Sequence, residues 1–259
     1  MKEFFTETGG IGFNIFGILH ISITIVTIIG AIMLFVFRDK LKRFKNKKNI
    51  RYIMAAVLFI NMAVYYISLI LRNDYTWKTD LPLHFCFITG YLFMFILITG
   101  NKKLYKIIYF FTFVGPIPAI LLPDLTQTYD RFIFWQFIIS HHVMLLTSMY
   151  VLVVLEYKVE KSDIFKAFIA GNILAATMAI FNSICGTNYI MMGELPEHIY
   201  RIFPFTAYLP PIIWLELAGL IAVSIAYIPV YILNRISGKF DELEATDVTL
   251  LDDEINCAH

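Results

Sequence analysis

Apolar residues in this chain come in runs of about twenty, the length at which a helix crosses the hydrocarbon core of a bilayer. No other feature narrows the fold as far. Seven such runs occur, at residues 13–37, 53–71, 81–99, 104–122, 132–155, 164–184 and 207–233. None alternates with a period of two, so helices are expected rather than a transmembrane barrel. The reading is an all-α integral membrane protein, a seven-transmembrane-helix bundle over residues 1–236, followed by a flexible acidic tail at 237–259. Composition agrees: 16% of residues are charged, where a water-soluble domain carries about a quarter.

The charges are segregated along the chain. Eight lysines and arginines fall between the first two runs, from Arg38 to Arg51. Lys102, Lys103 and Lys106, then Lys158, Lys161 and Lys166, then Arg235 and Lys239 add to the same side. Only Lys2, Arg72, Lys78, Arg131 and Arg201 fall on the other. Basic loops stay cytoplasmic, so the N-terminus is expected outside and the C-terminus in the cytoplasm of a multi-pass cell-membrane protein. The net charge of +1 makes no case for nucleic acid, and none is expected as a partner. Acidic Glu3 and Glu7, with no small-residue cleavage pattern, argue for a retained first span rather than a signal peptide. Cys86, Cys185 and Cys257 do not make a disulfide framework. Pro116, Pro118 and Pro229 are expected to kink their helices.

Ionisable residues inside a bilayer are expensive and face a bundle interior or a watery cavity. Here they gather on one side. His20, His84, Cys86, His141, His142 and Glu216 all fall within ~15 Å of the outer boundary at the helical rise per residue. Asn182 joins them, with Asn188 just beyond. His198, in an outer loop, reads as surface. Taken singly, a membrane cysteine is a small filler and a histidine near a helix end sits at headgroup level. A one-sided cluster drawn from five helices is what asks for a function.

Cys86 carries the sharpest expectation. With Asp80 as N-cap and Pro82 in the first turn, it falls in the second turn, near the positive end of the helix dipole, which favours thiolate. His84 is two residues away and cannot face it on a regular helix. A base must come from another span. His141 is the candidate, its imidazole oriented by Glu216 or Asn182 in a nucleophile–base–orienter arrangement. His141 and His142 are about 100° apart on a helix, so only one of them faces the site.

Several segments carry a family resemblance: FGILH (16–20), LPLHFC (81–86), LLPDL (121–125), RFIFWQFIISH (131–141), NSICGTNYIMM (182–192) and PPIIWLE (210–216), followed by Pro229. In this order they resemble the YwaF-like bacterial membrane proteins and their animal relative, transmembrane protein one-six-four. The resemblance runs through the seventh span and stops before the acidic tail. It implies a seven-span bundle and a cysteine-dependent acyltransferase that passes an acyl chain between phospholipids through a thioester. Cys86 matches the nucleophile and His141 the histidine of the fifth span. His142 stands where the bacterial pattern has a small residue.

Three functions follow as expectations. The first is a membrane lipid acyltransferase acting on phospholipid and lysophospholipid through Cys86 and His141, without a cofactor. The second is a metal-dependent lipid hydrolase holding Zn²⁺ with His20, His84, His141 or His142, and Glu216. The third is a non-enzymatic transporter or ligand-binding protein, for which no internal repeat speaks.

Overall fold

The computed structural model describes residues 3–6 and 9–236, and these are helices and connecting turns with one isolated β-bridge, between Gly12 and Gln127. The tail expected at 237–259 lies outside the described residues, as does Cys257. The helices are α1 (Ile18–Val36), α2 (Arg38–Arg43), α3 (Lys47–Arg72), α4 (Phe85–Thr99) and α5 (Lys102–Val114). They continue with α6 (Pro116–Leu121), α7 (Phe132–Val153), α8 (Ser162–Cys185) and α9 (Glu197–Ile202). The last described helix is α10 (Pro211–Ile236).

Among the described residues six stretches are long and apolar enough to cross a membrane: α1, α3, α5 with α6 as Lys102–Leu121, α7, α8 and α10. The expected seventh, α4, is apolar but only 15 residues long, about 22 Å against a core of about 30 Å. The shortening begins in its first residues. Pro82 disfavours helix for Leu81 before it. Asp80 is not the N-cap; its carboxylate accepts from the Thr76 N–H at 2.7 Å and the Thr79 hydroxyl at 3.1 Å, closing a separate turn. Helix therefore starts four residues after the expected run, with His84 as an extended N-cap at φ −66° and ψ 145°.

Two helices form the interior. α5 packs against α4, α6, α7, α8 and α10, and α7 against α1, α3, α4, α5 and α6. Tyr105, Tyr109 and Phe110 of α5 and Phe134 and Met144 of α7 are fully buried. The rim helices turn apolar faces outward, with Ile18, Ile25 and Ile28 of α1 and Ile173, Ile180 and Ile184 of α8 exposed. Outward rows of isoleucine on spanning-length helices are stable against lipid tails and not against water.

The bundle has two unlike ends. At one, the basic end, Lys106 pairs with Glu160 at 2.6 Å, Lys166 with Asp163 at 2.7 Å and Lys42 with Glu156 at 2.8 Å. Asn101 caps α5 there, its side-chain oxygen accepting from Lys103 and Leu104 N–H at 3.1 and 3.0 Å. At the other, the histidine end, the segment before α1 clips onto the α6–α7 loop, with Phe13 N–H to Thr126 carbonyl at 2.9 Å and Thr128 N–H to Ile11 carbonyl at 3.0 Å.

The expected kink in the fourth run is a break at Gly115, where α5 stops and α6 restarts on Pro116. Pro116 and Pro118 have no N–H, so the carbonyls of Thr112 and Val114 cannot receive the usual donor four residues on. Pro229, by contrast, lies inside a helix that continues through it.

Candidate functional site

The late start of α4 moves Cys86 from the second turn into the first, as the second helical residue. Its own N–H and those of Phe85 and Phe87 belong to the helix's unpaired first-turn donors, and His84 adds no side-chain cap to them. The thiol is half-buried and sits on the backbone of the Gly115 break. A methyl placed on Gly115 would lie 3.2 Å from Cys86 Sγ and 2.7 Å from the Phe85 ring. Only glycine leaves α4 that close to the α5–α6 junction.

Two contacts register α4 against α7. Gly90 lies against Met144, whose Sδ is 3.5 Å from where a Gly90 Cβ would be. Nearer the basic end, the Tyr157 hydroxyl donates to the Gly100 carbonyl at 3.4 Å. Both helices therefore run the same way. Cys86 is four residues before Gly90 and His141 three before Met144, so each rises by about 6 and about 4.5 Å from their shared level. By this count the two residues differ by about 1.5 Å in rise along neighbouring helices.

The direction of His141 follows from its own helix. It lies about 60° from Met144, which meets α4, and about 20° from Ser148, whose carbonyl accepts from Tyr105 of α5 at 2.8 Å. It thus faces the groove between α4 and α5. His142 is about 100° further round and within about 40° of Leu146, which packs on Gly30 of α1. His142 faces α1.

Both imidazoles are buried and anchored to their own helix, Nδ1 of His141 to the Phe137 carbonyl at 2.7 Å and Nδ1 of His142 to the Ile138 carbonyl at 2.8 Å. A carbonyl only accepts, so Nδ1 carries the proton and the neutral ring keeps a lone pair on Nε2. The His141 ring also lies against Phe137, with centroids 4.1 Å apart. Its carboxylate or amide orienter, expected from Glu216 or Asn182, is replaced by a backbone carbonyl.

The remaining candidates hold the frame. His20, in the first turn of α1, accepts at Nδ1 from Phe16 N–H at 3.0 Å and donates from Nε2 to the Ile120 carbonyl at 2.8 Å. It staples α1 to α6. Glu216 accepts from Asn172 of α8 at 3.3 Å. Asn182 accepts from Tyr189 N–H at 2.9 Å and the Thr187 hydroxyl at 2.7 Å, and donates to the Tyr189 carbonyl at 2.8 Å. Tyr189, fully buried, in turn donates to the Trp77 carbonyl at 2.6 Å and accepts from Leu81 N–H at 2.9 Å. That latch holds the turn leading into α4. His84 closes it, with Nε2 on the Thr79 carbonyl at 3.1 Å and its ring edge-on to Tyr189.

His198, read as surface, is buried and pairs through Nδ1 with Asp124 at 3.3 Å. Cys185 ends α8 as a half-buried free thiol. Asn172, Tyr189 and Gly115 were not among the expected site residues. Asn172 is not ionisable and Tyr189 is a neutral phenol, though an intramembrane amide or hydroxyl carries much the same signal. Gly115 was announced by its Gly-Pro dipeptide.

The zinc set does not assemble. Among the described residues no three of His, Cys, Asp or Glu converge to hold a metal ion, and both nitrogens of His20 are already bonded. A shallow concavity of about 550 Å³, lined by residues such as Tyr200, Tyr208 and Pro211 ahead of α10, includes none of the candidate residues.

Comparison with known proteins reaches the same stretch of chain. The chain is 27% identical over 197 residues to an uncharacterized protein of Treponema pallidum (strain Nichols), covering 74% of this chain and 81% of that protein. No solved structure matches it significantly. The profile of the TMEM164 family matches residues 15–227, which takes in α1 through most of α10 and every candidate residue named above. This multi-pass membrane protein belongs to the TMEM164 family.

Proposed function

We propose that the protein is a membrane-embedded lipid acyltransferase that moves an acyl chain from a phospholipid to a lysophospholipid through a thioester on Cys86, with His141 as the base. What supports the reading is a helical count: from the Gly90–Met144 contact, Cys86 and His141 have similar rises along α4 and α7. The Nε2 lone pair on an imidazole facing the α4–α5 groove supports it.

In this reading His141 Nε2 takes the Cys86 proton and Sγ attacks the ester carbonyl carbon of a phospholipid. The first-turn N–H groups of α4, at the positive end of its dipole, steady the thiolate and then the oxyanion. The ester C–O bond breaks, and the lysophospholipid oxygen takes the proton from His141 Nε2 as it leaves, so that Nε2 is a free base again. A second lysophospholipid hydroxyl then gives its proton to Nε2 and attacks the thioester. The C–S bond breaks and the thiol is restored. No water, metal or redox partner enters the balance.

The short α4 counts as the seventh membrane helix in this reading. Its start is recessed in the leaflet, where the ester of a lipid lies, and the basic end faces the cytoplasm of a cell membrane. The test is acyl exchange between phospholipid and lysophospholipid by purified, reconstituted protein, with the acyl-enzyme sought by mass spectrometry. The wild type gains one acyl mass on the peptide containing Cys86 and exchanges acyl chains. Cys86→Ala loses both. Exchange that survives Cys86→Ala overturns the proposal.

A further inference from the structure

We propose that the turn between α1 and α3, built around α2, is a binding surface for anionic phospholipid headgroups at the basic end of the bundle. It is separate from the Cys86 groove and does not depend on the acyltransferase reading.

The argument starts from how the acids at this end are used. Glu156 is taken by Lys42 at 2.8 Å, Glu160 by Lys106 at 2.6 Å, and buried Asp163 by Lys166 at 2.7 Å with Lys106 also near it at 3.5 Å. Asp39, the single acid of α2, lies 3.6 Å from Arg38. Of the turn's own basic residues, Lys40, Arg43, Lys45 and Lys48 are exposed. Among the described residues their side chains make no ion pair. Four cations within nine residues repel one another unless an anion joins them.

Position selects the anion. α1 and α3 are both of membrane-crossing length and composition, so the turn joining them lies where hydrocarbon gives way to headgroups. Phe37 and Phe44 flank α2 and are exposed, while Leu41 packs inward on the core. Exposed aromatics beside lysine and arginine on a short interfacial helix are the combination that settles among headgroups. An anionic headgroup meets the cations there while its tails lie against the isoleucines of α1, such as Ile29 and Ile32. A soluble polyanion would find the same charges without that apolar wall.

The test is lipid retention by the full-length protein, purified in neutral detergent and offered equal amounts of phosphatidylglycerol and phosphatidylcholine, read by native mass spectrometry. The expected result is a preference for phosphatidylglycerol of at least about fivefold, the worth of one interfacial charge. It falls towards parity in the K40Q/R43Q/K45Q/K48Q variant. Should that variant misfold, a salt titration of the wild type serves: the preference collapses as the screening length shrinks from about 10 Å towards about 3 Å. Equal retention of both lipids by the wild type, or an unchanged preference in a folded variant, overturns the proposal. So does a preference seen only after the seven acids of 237–259 are neutralised to Asn or Gln, since the tail would then be the natural occupant.

Discussion

The two ends of this bundle solve the problem of polar groups in an apolar setting in opposite ways. At the basic end side chains pair with side chains: Lys42 and Lys106 meet Glu156 and Glu160 of the α7–α8 connection, and Lys166 meets Asp163 in the first turn of α8. At the histidine end side chains pair mostly with backbone, as with His20 on Ile120, His141 on Phe137, His84 on Thr79 and Tyr189 on Trp77. An ion pair satisfies both partners and leaves nothing over. A backbone carbonyl takes one ring nitrogen and leaves the other, so the histidine end is rigid and still has a free lone pair. The difference teaches where chemistry can reside: stiffness alone is found at both ends, and an unspent base at only one.

The largest expected effect separates the adjacent imidazoles of the histidine end. Under the proposed function, His141→Gln lowers acyl transfer about 10²–10⁴-fold, the usual worth of a positioned base, whereas His142→Gln, facing α1, lowers it less than about tenfold. Equal losses would place the base elsewhere. Next is Gly115→Ala, whose new methyl meets the Phe85 ring and Cys86 Sγ. Overpacking of this kind destabilises by about 1–3 kcal/mol, and thermal unfolding should fall together with thiol reactivity at Cys86. A folded variant with unchanged labelling would detach the thiol from the break.

Smaller still is Tyr189→Phe, which removes the hydroxyl joining the Trp77 carbonyl to the Leu81 N–H. About 1 kcal/mol is at stake, read as faster hydrogen exchange over residues 76–84 with the rest of the bundle unaffected. The least effect belongs to the basic end. Asp163→Asn should lower the unfolding temperature slightly and, under the proposed function, leave acyl transfer at wild-type rate, because its partner Lys106 lies nine residues, about 13 Å of helix, from the Gly115 break beside Cys86. A large loss of activity there would erase the contrast between the ends.

Much of this was legible before any coordinates. Run length predicted the apolar helices, six of them of spanning length among the described residues. The misreadings share a cause. Asp80 was expected to cap α4 because a carboxylate ahead of a proline suits a helix start, yet it was nearer in space to Thr76 and Thr79. Glu216 and Asn182 were expected to orient an imidazole because they lay at similar depth. Depth is one coordinate of three, and the azimuth of each residue sent Glu216 to Asn172 and Asn182 to Tyr189. His198 was read as surface because loops usually are, and a partner 74 positions earlier, Asp124, lies within 3.3 Å of it.

By itself the sequence determined that this chain is a helical membrane protein with its costly side chains gathered at one end. Hydrophobic run length and the price of burying charge depend on residue type alone. Only the tertiary structure decided that Cys86 opens α4, that His141 rather than His142 turns to the α4–α5 groove, and that Gly115 lets the thiol in. Those outcomes depend on helix register and rotation, which are set by contacts such as Gly90 on Met144 between residues far apart in the chain.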